Sequence, residues 1–128
     1  MKKLIILGLL ASSLFAQSAL EKRINVMKDL EKAMATVQKG YLYNNLHIVQ
    51  KGADELKLHA QDVKSFEVAT NGSSFDAKQY AINEASAITS LANDMVDSFK
   101  KGQKSKSMIA YQNTLNRCVT CHKIVRKW

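Results

Sequence analysis

Proline is absent from all 128 residues, and a chain of this length without a linker signal reads as one domain. Glycine is scarce as well, at five residues, so there are few places where a regular element would be made to stop. Aromatic residues make up only 7% against a hydrophobic total of 46%. The core must therefore be built from Leu, Ile, Val, Met and Ala, or be completed by something that is not protein. With only two cysteines there is no disulfide framework, and no stretch reads as a β-strand. Acidic residues are also in deficit, 11 against 19 basic ones, leaving a formal net charge of +8.

Both cysteines fall in one pentapeptide near the C-terminus, Cys118-Val119-Thr120-Cys121-His122. C-x-x-C-H is the attachment signature of c-type haem, and each residue type has a chemical reason. Two thiols add to the two porphyrin vinyl groups, the intervening pair spaces the sulfurs, and the adjacent imidazole reaches the iron as an axial ligand. Losing any one of the three would remove a different bond. A thioredoxin-like redox pair would call for a βαβ context, and structural zinc usually takes four Cys or His ligands. The reading is one covalent haem c, held by Cys118 and Cys121, with His122 as proximal iron ligand.

Residues 1–16 have the layout of a secretory leader: Lys2 and Lys3, an apolar run from Leu4 to Leu10, then small residues ending at Ala16. Cleavage is expected after Ala16 or Ser18, leaving a domain over 17–128. The run is short for a transmembrane helix, which needs about 20 residues, so no stable membrane anchor is expected. Export to the periplasm agrees with the motif, because haem c is normally attached outside the cytoplasm. Removing Lys2 and Lys3 takes the charge from +8 down by two, to +6. A basic surface of that size suits a redox partner with an acidic docking face; nucleic acid is not expected.

Gly40, Gly72 and Gly102 each follow a periodic segment, the position glycine takes at helix ends. Three breaks predict four helices: about Leu20 to Lys39, Tyr41 to Val68, Phe75 to Lys101, and one from beyond Gly102 to the C-terminus. The first places Leu20, Ile24, Met27, Met34 and Val37 or Gln38 along a stripe. The second carries a seam of Leu42, Leu46, Val49, Ala53, Leu56, Ala60 and Val63, the alternating spacing of bundle packing. Gly52 interrupts it at a cost of about 1 kcal/mol relative to Ala. Ser73 or Ser74 is the expected cap of the third helix, which carries Ala81, Ala85, Ile88, Ala92, Met95 and Phe99. Ser105 or Ser107 would cap the fourth, whose inward stripe reads Met108, Tyr111, Leu115, Cys118, His122 and Val125. The fold class is all-α, an antiparallel up-down-up-down four-helix bundle with the haem near the C-terminus.

In that arrangement the helix rise puts His122 about 8 Å, and Met27 roughly 10 Å, above the same end of the bundle. A thioether opposite an imidazole is a standard axial pair for haem c, so Met27 is the candidate distal ligand. His59 lies near the same level but outside the seam, and His47 would be about 30 Å away. Arg117, Lys123, Arg126 and Lys127 form a basic collar near the motif.

On these residues the whole mature chain resembles the class II cytochromes c, the cytochrome c′ group, and more closely its low-spin members. Arg23-Ile24-Asn25-Val26-Met27-Lys28 is similar to the R-x-x-x-M-K pattern of those members, where the methionine is the sixth ligand. Arg126, four residues after His122, is similar to an arginine near the haem in that family. The resemblance implies a one-electron carrier with His/Met-ligated iron, not an enzyme, as a monomer or homodimer. The alternative is a five-coordinate cytochrome c′ that binds nitric oxide or carbon monoxide.

Overall fold

The computed structural model describes the backbone of residues 2–66 and 75–126, and the side chains of residues 18–66 and 75–126. Among the described residues the elements are four helices: α1 (Lys2–Leu42), α2 (Leu46–Val63), α3 (Ala77–Lys100) and α4 (Lys104–Arg126). α1 packs on α2, α2 on α3, and α3 on α4. Backbone packing of that extent does not join α1 to α4 among the described residues. No helix among them is long and apolar enough to cross a membrane.

The predicted seam of α2 is buried from Val49 through Ala53, Leu56 and Ala60 to Val63. The α3 stripe is buried at all six expected positions, Ala81 to Phe99. Alternating three- and four-residue spacing keeps one helix face toward its neighbours, and both helices obey it.

The helix ends follow a different logic from the one expected. Gly40 does not end α1, which continues to Leu42 and stops at Asn44, whose φ of 50° breaks the helical path. α2 starts at Leu46 instead of Tyr41, because the Asn45 side chain accepts a hydrogen bond from the Ile48 N–H (3.2 Å) and so caps it. Leu42, expected on the α2 seam, is 77% exposed in consequence. For α3 the cap is Asp76, accepting from the Gln79 N–H at 2.8 Å. Ser73, Ser74 and Gly72 lie outside the described residues. Gly102 does end α3, at φ +74°, with the Gln103 N–H reaching the Ser98 carbonyl at 2.8 Å.

Gly40 and Gly52 serve the contact between helices. A Cβ on Gly40 would meet the Val49 backbone nitrogen at 2.6 Å, and one on Gly52 would meet that of Val37 at 2.6 Å and the Ala33 carbonyl at 2.9 Å. Since the obstacles are backbone atoms, α1 and α2 would have to move apart. Gly52→Ala is therefore expected to destabilise by about 1–3 kcal/mol, even though alanine favours helix by about 1 kcal/mol. An unchanged or higher denaturant midpoint would refute the close-approach account.

α4 is rotated from its predicted register. Met108 and Leu115, expected inside, are 49% and 48% exposed, while Ser107, Ala110 and Thr114 are buried. Hydrogen bonding sets this orientation. The Ser107 hydroxyl lies 2.6 Å from the Met95 carbonyl of α3 and 2.9 Å from the Tyr41 hydroxyl, while Tyr41 also donates to the Ser107 carbonyl. Ser107 is thus an internal anchor and not a cap. α1 shows a related departure: Val26, Leu30, Ala33, Met34 and Val37 are buried, whereas Leu20 and Ile24 are 52% and 45% exposed.

Candidate functional site

Cys118, Cys121 and His122 all lie on α4, and all three are partly buried. Residues three and four apart are neighbours on a helix surface, so Cys121 and His122 both adjoin Cys118. The two cysteines are free thiols. Burial pushes the Cys118 thiol above its ordinary pKa, helped by Cys121 and the charge of Glu84; burial and then Glu84 do the same to Cys121. Both sulfurs stay protonated at neutral pH and are not primed for disulfide exchange. His122 moves the other way, lowered by burial first and by the Arg126 charge second. Its imidazole is neutral at pH 7 and keeps the lone pair that a metal ion needs.

This donor chemistry fits covalent haem attachment: two protonated thiols beside a neutral imidazole, on a single turn of one helix. A bare metal ion fits less well. Among the described residues no group of three or more His, Cys, Asp or Glu side chains is arranged to hold one.

Other predicted residues fall in distinct places. Met27 is partly buried and packs against the core cluster. His59 lies 3.9 Å from Asp62 on its own helix, and His47 is exposed. The collar is not uniform. Arg126 and Lys123 are exposed, Lys127 is outside the described residues, and Arg117 donates to the Glu84 carboxylate on α3 at 2.9 Å.

Two residues beside the motif escaped the sequence reading. Glu84 is buried, and Tyr80, one turn before it, has a buried hydroxyl with no hydrogen-bond partner among the described residues. The signal was present for Glu84, which stands among Ala81, Ala85 and Ile88 at the spacing of core positions. An acid on that face needs a buried partner. Tyr80 gave no such signal.

The two flanks of α4 differ in character. Toward α3 a cleft of about 520 Å3 is mixed, with the charged Glu84 and Arg117 and the polar Asn113 and Thr120 beside the apolar Ala87 and Leu91. The other flank holds Tyr111, whose ring meets that of Tyr41 on α1 with centroids 5.8 Å apart. His122 is 11 residues beyond Tyr111, about three helical turns, so it projects from the same flank. Leu115 lies between them, four residues from Tyr111, and Val119 borders the strip. Both are exposed.

Comparison with protein-family models, with curated proteins and with solved structures returned no match.

Proposed function

We propose that the chain is a periplasmic class II-like c-type cytochrome that carries one electron, with its haem on the α1-facing flank of α4. The observation that carries this reading is the uncovered apolar strip of Leu115 and Val119 beside His122. Large aliphatic side chains on one flank, adjoining two thiols and a neutral imidazole, are what a covalently tethered macrocycle would cover. Burial of such surface contributes about 25 cal/mol per Å2, a gain the protein alone leaves unrealised there.

The supporting contacts also fit the up-down-up-down arrangement. Late residues of α1 meet early residues of α2 (Gly40 with Val49), and early residues of α3 meet late ones of α4 (Glu84 with Arg117). The Tyr41–Ser107 hydrogen bond gives α1 and α4 a common reference point. Met27 lies 14 residues before Tyr41 and Cys121 lies 14 after Ser107, so with antiparallel helices each is about 21 Å from that point. Fourteen residues are also close to four turns, which returns Met27 to the flank that carries Tyr41.

In this reading Cys118 and Cys121 would hold the group covalently, and His122 and Met27 would be the iron's ligands from the chain. A haem c bound there supplies one-electron exchange between ferric and ferrous iron. The role of the chain is to exclude water with Leu115, Val119 and Ile24, and to present exposed Lys123 and Arg126 to an acidic partner. Iron held by both His122 and Met27 would leave no place for a substrate, which suits a carrier and not an enzyme. The packing of Met27 on the core favours a second reading, in which its sulfur only packs and the iron binds nitric oxide or carbon monoxide.

The test is a redox titration of the purified protein followed optically. A single one-electron transition with low-spin bands in both states is expected. A high-spin ferrous spectrum that binds carbon monoxide at once would favour the gas-binding reading, and a colourless protein from a host that matures c-type cytochromes would overturn both.

A further inference from the structure

We propose that the Glu84–Arg117 ion pair, with Tyr80 beside it, sets the balance between the ferric and ferrous states of the iron held at Cys118, Cys121 and His122. The inference rests on the haem reading and adds to it a pair of positioning residues outside the axial ligands.

Glu84 occupies a core position of α3, on the face of Ala81, Ala85 and Ile88, and only 10% of its side chain is exposed. Buried ion pairs rarely stabilise a fold more than apolar residues of similar size, so packing alone does not account for it. The pair is also lopsided, because the side chain of Arg117 is 46% exposed. Water screens the guanidinium more than the carboxylate, and the field left inside the protein is negative.

The pair adjoins the attachment site, sharing the cleft between α3 and α4 with Thr120, which stands between the two cysteines. Arg117 immediately precedes Cys118, and the charge of Glu84 raises the pKa of both attachment thiols. Tyr80 lies within the same field, influenced by Glu84, Cys121 and Arg117, and its unpaired hydroxyl supplies a hydrogen-bond donor there. Reduction takes one electron from the partner and lowers the charge of the iron by one. A buried carboxylate opposes that change and a guanidinium favours it.

The two charges therefore make predictions of opposite sign. In optical redox titrations of the haem-loaded full chain, Glu84→Gln is expected to shift the equilibrium toward the ferrous state by roughly threefold or more, the effect of one partly screened charge. Arg117→Gln is expected to shift it toward the ferric state. Arg117→Lys, which keeps the charge, should stay close to wild type.

Shifts of the same sign, or none, in variants that retain wild-type haem bands would overturn the proposal. Should Glu84→Gln fail to accumulate, the two variants at exposed Arg117 decide the matter by themselves. A wild-type chain without haem would remove the functional reading, and this inference with it. A wild-type spectrum with insensitive titrations would remove the inference alone.

Discussion

Expressed in a host that matures c-type cytochromes, the chain is expected to keep its colour through SDS and acidified organic solvent, and Cys118→Ala with Cys121→Ala to lose it entirely. Thioether bonds survive denaturation whereas axial coordination does not, so denaturing electrophoresis with haem staining separates the two. Either single variant should retain a haem on one thioether, with its absorption bands displaced because one vinyl group stays conjugated. The effect should extend to stability. If the group covers about 200 Å2 of apolar surface around Leu115 and Val119, its loss removes about 5 kcal/mol, a large fraction of the 5–15 kcal/mol typical of a domain. Unchanged colour in the double variant, or unchanged thermal unfolding in a colourless one, would contradict the placement on that flank.

Met27→Ala is the second large effect. A wild-type iron with sulfur in its sixth position should be low-spin in both oxidation states and slow to bind carbon monoxide. The variant should become high-spin and bind the gas rapidly in its ferrous form. Since Met27 also packs on the core, truncation carries a structural cost, about 1–2 kcal/mol for a half-buried side chain. Met34→Ala provides the control: Met34 is buried two turns further along α1, so its removal should cost more, about 2–4 kcal/mol, yet leave the spectrum alone. Equal spectra for wild type and Met27→Ala would assign the sulfur to packing and leave the gas-binding reading standing.

The two middle helices were legible in sequence because their interior faces are apolar at nearly every position, Glu84 and Ser98 on α3 being the polar exceptions. Ala53, Leu56, Ala60, Ala81, Ala85 and Ile88 all sit where their spacing put them. α4 was not legible in this way. Its most regular apolar stripe lies only at the edge of the face that packs: Tyr111, Cys118, His122 and Val125 are half-buried and Met108 and Leu115 exposed, since Ser107, Ala110 and Thr114 turn inward. Periodicity records which face avoids water, not whether protein or a bound group covers it. The roles of Gly40, expected to end a helix, and Gly52, expected only to interrupt the α2 seam, were hidden for a related reason, because a linear sequence does not show which glycine admits a neighbouring helix.

The sequence by itself determined the helical class, the grouping of two thiols with one imidazole and the basic balance of the chain, because local spacing and composition decide these. Tertiary structure alone decided the rotation of α4, the close contact of α1 and α2, and the Glu84–Arg117 pair. The physical reason is distance along the chain: Tyr41 meets Ser107 across 66 residues and Arg117 meets Glu84 across 33. Such hydrogen bonds and ion pairs form only when helices are brought together, and they fix which face of each helix is left for a partner.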